Sequence, residues 1–283
     1  MTTLTAPPTP GTATTASPYR LSFPRLVRSE AIKLATLRSP WWSILVVAVL
    51  SIGMSVLLAS AFTGSVGPGG GPGGGPASAD LALSAVLVPT SFTVLLAVIL
   101  GSIQVTGEYS TGMMRSTLTA APGRNSSLLA KALVIGVFVF VSTLVIFGVA
   151  LAATAPLLNG ADVGLDFSDV GSWAPNVLAG SFMLTVISLV GVGAGYLLRN
   201  GPGAIGLGVG LVFVLPIVPS FFPATPDWEW VHTAAQYLPT AAGQALMLPS
   251  DGSLDPWVAA ATLVVWAVAS LGIGAAVLRT RDA

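Results

Sequence analysis

Asp162, Asp166 and Asp169 are spaced so that three carboxylates could line one helix face, which is what a cation site would need. The stretch lacks the alternating acids and central glycine of a calcium loop, so a solvated loop is the expected state. His232, the one histidine, sits near Trp228, Trp230 and Tyr237. A histidine beside tryptophans is expected to pack at an interface, and it is given no ligand role. The glycine-rich run from Gly67 to Pro76 invites a phosphate cradle, but no Lys-Ser/Thr follows it, and it reads as a flexible linker. The chain has no cysteine, which removes disulfides, thiolate metal sites and cysteine nucleophiles together. No Gly-x4-Gly-Lys-Ser/Thr, His-Glu-x-x-His or Gly-x-Ser-x-Gly occurs either. The expectation is a protein that is not an enzyme and holds no metal or cofactor.

The elements that would carry these residues are set by composition. Of 283 residues, 53% are hydrophobic and 8% charged, against about a quarter charged in a soluble domain. Apolar runs of membrane-crossing length recur, each matched to a hydrocarbon core of roughly 30 Å. The predicted fold class is therefore an all-α polytopic membrane protein with six transmembrane helices. The spans are expected at 41–62, 83–105, 128–152, 175–198, 203–222 and 257–278. Residues 1–19 are Thr-, Ala- and Pro-rich and are expected to form a disordered tail, leaving 20–283 as the membrane domain. The tail lacks the pattern of a cleavable signal, so the first span is expected to direct insertion.

Charge fixes the expected topology. All eleven basic residues fall on one side of a six-span arrangement: Arg20, Arg25, Arg28, Lys33, Arg38, Arg115, Arg124, Lys131, Arg199, Arg279 and Arg281. Asp80, Asp162, Asp166, Asp169, Asp227, Glu229, Asp251 and Asp255 fall on the other. Basic side chains resist translocation, so both termini are expected in the cytoplasm. Lys131 and Arg199, near span ends, are expected to snorkel to the interface. Net charge is zero, which gives no reason to expect a nucleic-acid partner.

Phe23 to Arg38 divides into an apolar arc (Phe23, Leu26, Val27, Ala31, Leu34, Leu37) and a polar one (Arg25, Arg28, Ser29, Lys33, Thr36). Glu30, Ile32 and Arg38 do not fit this division. The pattern predicts an amphipathic interfacial helix, with Arg25, Arg28, Lys33 and Arg38 at lipid headgroups; a docking helix for a cytoplasmic subunit fits it equally. Gly191 with Gly195, and Gly206 with Gly210, form small-x3-small pairs expected to bring helices close, with Gly193 and Gly208 lying between them. Pro89 is placed to kink the second span, and Pro216 and Pro219 to end the fifth. The segment 221–256, with its short apolar piece Ala241 to Leu248, reads as an interfacial or re-entrant helix on the outer side.

Between the second and third spans lies GEYSTGMMRSTLTAAPGRNSSLLAK, Gly107 to Lys131. Ser110 or Thr111 is placed to cap a short helix, Pro122-Gly123 to end it, and Asn125 or Ser126 to cap the next. A cytoplasmic helix between two spans suits contact with a protein beneath the membrane. The order Glu108, Gly112, Leu118, Pro122, Arg124, Lys131 resembles the segment after the second span of ABC type-2 transporter permeases. The resemblance extends to Ser29–Trp42 and Leu238–Met247, and with the span count covers nearly all the chain after residue 20.

That resemblance implies a permease subunit in a bacterial plasma membrane, paired with a second permease subunit as a homodimer and with a cytoplasmic ABC ATPase. It implies that Tyr109 to Ala121 is the coupling helix, with Glu108, Tyr109, Gly112, Arg115, Leu118, Pro122 and Arg124 as its coupling residues and Glu108 capping its start. No charge falls mid-span, which disfavours a proton- or sodium-driven carrier and leaves a separate subunit as the energy source. The alternative is a membrane anchor or sensor that works with a partner ATPase and moves nothing. For a transporter, the apolar spans suit a lipid, a peptide or a hydrophobic drug equally.

Overall fold

The computed structural model describes residues 22–65, 76–114, 116, 123–160, 165, 167–223, 225–250 and 252–280. The expected tail, most of the Gly67–Pro76 linker, and Asp162, Asp166, Arg115, Leu118 and Pro122 lie outside them. The described residues are helical and contain no strand. Six helices among them are long and apolar enough to cross a membrane. The chain is an all-α, multi-pass membrane protein.

Helix α1 spans Phe23–Thr36 and is followed without a loop by α2, Arg38–Ser65, the first span. The second span is broken, α3 covering Pro76–Leu87 and α4 Thr90–Ser110. The break falls at Val88–Pro89, where proline cannot supply the helical amide. Helix α5, Arg124–Asn159, is the third span. Its 36 residues make it about 54 Å long, far more than the bilayer core. Along it Leu129, Leu133, Val137, Val141, Val145 and Val149 are exposed at intervals of four, a stripe suited to acyl chains rather than water.

Helix α6, Val170–Leu198, is the fourth span and the centre of the bundle. Its most apolar stretch is 78% buried, against 17% in the fifth and sixth spans. Of the three aspartates considered above, the described one, Asp169, caps α6 by accepting a hydrogen bond from the Gly171 amide at 3.2 Å. Gly191 and Gly195 let α6 approach α4, and Gly193 lets it approach the backbone of Ser270 in the sixth span. The predicted pair Gly206 and Gly210 makes no such approach among the described residues; Gly208 does, against Val98. The three glycines in this run are two residues apart, so sequence alone could not tell which of them faces a neighbour.

The fifth span, Gly201–Phe221, starts as α7, Gly201–Val209. It widens into a π-helical turn at Gly210–Val214 and ends as a 3-10 turn at Val218–Phe221. The disturbance thus precedes the prolines rather than starting at them. Pro216 has no amide to offer the Val212 carbonyl four residues back. That carbonyl instead accepts a hydrogen bond from the Thr240 hydroxyl at 2.6 Å. Thr240 belongs to α9, Pro239–Met247, which follows α8, Glu229–Gln236. Helix α9 packs on α6 and on α10, Pro256–Thr280, the sixth span. It buries Ala242, Gly243, Ala245 and Met247, and Asn176 in α6 holds its end by donating to the Met247 carbonyl at 2.9 Å.

Candidate functional site

Four side chains of opposite charge meet where α1 crosses the end of α4 and the start of α5. Lys131 Nζ lies 2.6 Å from Glu30 Oε2 and 2.8 Å from Glu108 Oε1. Lys33 Nζ lies 2.7 Å from Glu30 Oε1 and 3.0 Å from the same Glu108 Oε1. Each ammonium bridges both carboxylates, and the group is neutral as a whole. Glu30, Glu108 and Lys131 are buried, whereas the Lys33 side chain keeps 29% of its exposure. Isolated charges would be prohibitive here; paired and hydrogen-bonded, they hold three helices in one register.

The chain's composition is mirrored in this cluster. Lys33 and Lys131 are its only two lysines, every other basic residue being arginine. A compact ammonium with three donors fits between two carboxylates, where a planar guanidinium would force them apart. Glu30 and Glu108 are, with Asp282, the only acids on the basic side of the chain.

These contacts correct four expectations. Glu108 does not cap a short helix; it sits in the last turn of α4, and its carboxylate accepts from lysines rather than backbone amides. Lys131 does not snorkel, because two buried carboxylates give it a better partner than the interface. Lys33 turns inward, away from the polar arc. The buried side of α1 is Leu26, Val27, Glu30, Lys33 and Leu34, and Phe23, Ile32 and Leu37 face outward. Ser110 and Thr111 do not start a helix; their hydroxyls donate back to the Gly107 carbonyl, both at 2.9 Å, as α4 ends. Arg28 and Arg38 are exposed, as is Arg25.

Around the cluster, Tyr109 in α4 lies edge-on to Tyr196 in α6, ring centroids 6.5 Å apart, with the Arg199 guanidinium 5.4 Å from the Tyr109 centroid. Gly112 adopts φ +70°, the left-handed conformation that stops α4. Arg124, at the start of α5, donates to the Leu278 carbonyl at 3.0 Å, and Arg199 donates to the Val277 carbonyl at 3.2 Å. Two cations thus satisfy the open carbonyl end of α10. Of the proposed coupling residues, Glu108, Tyr109, Gly112 and Arg124 are described, and only Glu108 joins the cluster. Glu30 and Tyr196 were given no role by sequence reasoning, and Lys131 was expected at the interface rather than in a cluster; Glu30 had a signal as the misfit on the apolar arc of α1.

A cavity of about 360 Å³ opens beside the cluster, walled by Leu34, Ile103, Val134 and Ile135 and floored by all four charged residues. Burial, the strongest influence on Glu30, raises its pKa, but Lys131 and Lys33 together outweigh it and hold the carboxyl below the usual 4.5. Burial likewise works against charge on Lys33, and Glu30 and Glu108 overcome it, holding the ammonium above 10.5. A depressed carboxyl stabilises the fold above 4.5 and stops doing so as pH falls through its lowered value. A raised ammonium stabilises below 10.5 and is lost as pH rises through its higher value. The contribution of these two residues should therefore be constant from pH 5 to pH 10 and fall away on both sides. Thermal unfolding in detergent checks this: the acid limb should shrink in Glu30→Gln and persist in Asp255→Asn.

No family model matches the chain, and no curated protein sequence matches it either.

Proposed function

We propose that the chain is the permease subunit of an ATP-driven exporter of the ABC type-2 class, sited in a bacterial plasma membrane with both termini in the cytoplasm. Two such subunits form the translocation path, and a separate cytoplasmic ATPase supplies the energy. The observation that carries this reading is the ion-pair cluster. It clamps α1 to the two helices that flank the 111–123 segment, so that a push on that segment moves spans two and three and α1 together. In support, the middles of the six spans carry no charge that could relay protons or ions. In this reading α1 lies at the cytoplasmic interface, and the segment between α4 and α5 seats in the ATPase.

The test is reconstitution of the full chain with a soluble Walker-motif ATPase sought in the neighbouring reading frame, followed by hydrolysis and flux of a hydrophobic reporter. ATP-dependent flux is expected. Arg115→Ala should lower flux and permease-stimulated hydrolysis at least tenfold and leave insertion unchanged. Stimulated hydrolysis without flux would favour the anchor or sensor reading, and flux driven by a proton gradient alone would end both.

A further inference from the structure

We infer that the cavity between α1, α4 and α5 binds an amphiphile with a primary ammonium head, its ammonium on Glu108 and its chain along the apolar wall. Glu108 carries the argument. Its Oε1 accepts from both lysines, whereas its Oε2 is buried and has no hydrogen-bond partner. Its side chain is 10% exposed and forms part of the cavity lining. A carboxylate oxygen buried without a donor is costly, and a ligand that supplies an N–H removes that cost.

Charge selects the sign. The four residues sum to zero, and the buried cluster atom without a partner is a carboxylate oxygen, Glu108 Oε2, whose strongest complement is a cationic donor. A primary ammonium is the smallest such group, and the cluster already shows how ammoniums sit on this carboxylate. Leu34, Ile103, Val134 and Ile135 require that the rest of the ligand be apolar. The volume lies within the roughly 300–1,000 Å³ of small-molecule sites. A second cleft, bounded by Arg38, Trp41, Trp42 and Leu45, shares Thr36 and Leu37 with this cavity and continues the apolar surface along the first span. Lys33, the half-buried member of the cluster, is placed to give way as a head group enters. The site stands whether or not the chain moves a substrate.

The test uses the full chain in phosphatidylcholine nanodiscs and a long-chain primary amine carrying a diazirine. Labelling is expected at Ile103–Gln104 and Val134–Ile135. Dodecylamine should compete for it, and dodecanoic acid and ethylamine at the same concentration should not. Competition by ethylamine would show that the ammonium alone suffices and overturn the amphiphile assignment; equal competition by the acid would overturn the charge assignment. Glu108→Gln, which keeps the shape, should lower labelling at least tenfold. Ile103→Trp fills the cavity without touching an ion pair and should do the same in a protein that still elutes as a single species. Undiminished labelling in Ile103→Trp would place the amine elsewhere and sink the proposal.

Discussion

Replacement of Lys131 by methionine is expected to cost about 3–5 kcal/mol of stability, because it removes one partner from a buried set of charges. Methionine preserves much of the stem and the packing, so the loss reports the ammonium. Glu30 and Glu108 would then share Lys33 alone, two largely buried carboxylates converging on one cation. The same substitution at Lys33 should cost less, because that side chain keeps 29% of its exposure and the orphaned carboxylates could rehydrate there. The double variant Lys131→Met with Glu108→Gln should recover more than half of the loss, since it leaves the balanced Glu30–Lys33 pair at 2.7 Å. Thermal unfolding of the three variants in detergent decides the matter. Equal losses for Lys33→Met and Lys131→Met, or no recovery in the double variant, would mean that the cluster does not act as a unit.

The six spans were legible because each is a local property: about twenty apolar residues in a row need no knowledge of the rest of the chain. The ends were less so. Helix α5 starts at Arg124 and runs to Asn159, beyond the expected 128–152 on both sides, because polar residues at its ends continue the helix outside the apolar run. The ion cluster is non-local. Lys131 lies 101 residues from Glu30 and 23 from Glu108, and Lys33 lies 75 from Glu108. On a helical wheel of α1 alone, Glu30 is a defect; opposite Lys131 it is the reason for the face. The misfit was visible, and what it met was not. Pro216 shows the same limit, since a proline predicts a freed carbonyl but not that Thr240 will occupy it.

The glycines allow the sharpest contrast between what composition suggests and what packing uses. At the crossing of α4 and α6 the helices touch backbone to backbone. A methyl group on Gly101 would overlap the Ser188 carbonyl oxygen and lie 2.9 Å from its carbon and 3.1 Å from the Val192 amide nitrogen. The Ser102 hydroxyl donates to the Gly191 carbonyl at 3.2 Å across the same crossing, a bond that requires this closeness. Gly101→Ala is therefore expected to force the central pair of helices apart, at a cost of about 3 kcal/mol, the upper end of what overpacking does. Gly206 and Gly148 have nothing within 4 Å of an added methyl, and alanine there should be neutral or stabilise by about 0.5–1 kcal/mol through better helix propensity. All three are the same chemical change in an apolar helix, so their difference isolates the contact. Should Gly101→Ala unfold at the same temperature as Gly206→Ala, the fourth span would not lie against the second at this point, and the frame that holds Glu108 opposite Lys131 would have to be drawn differently.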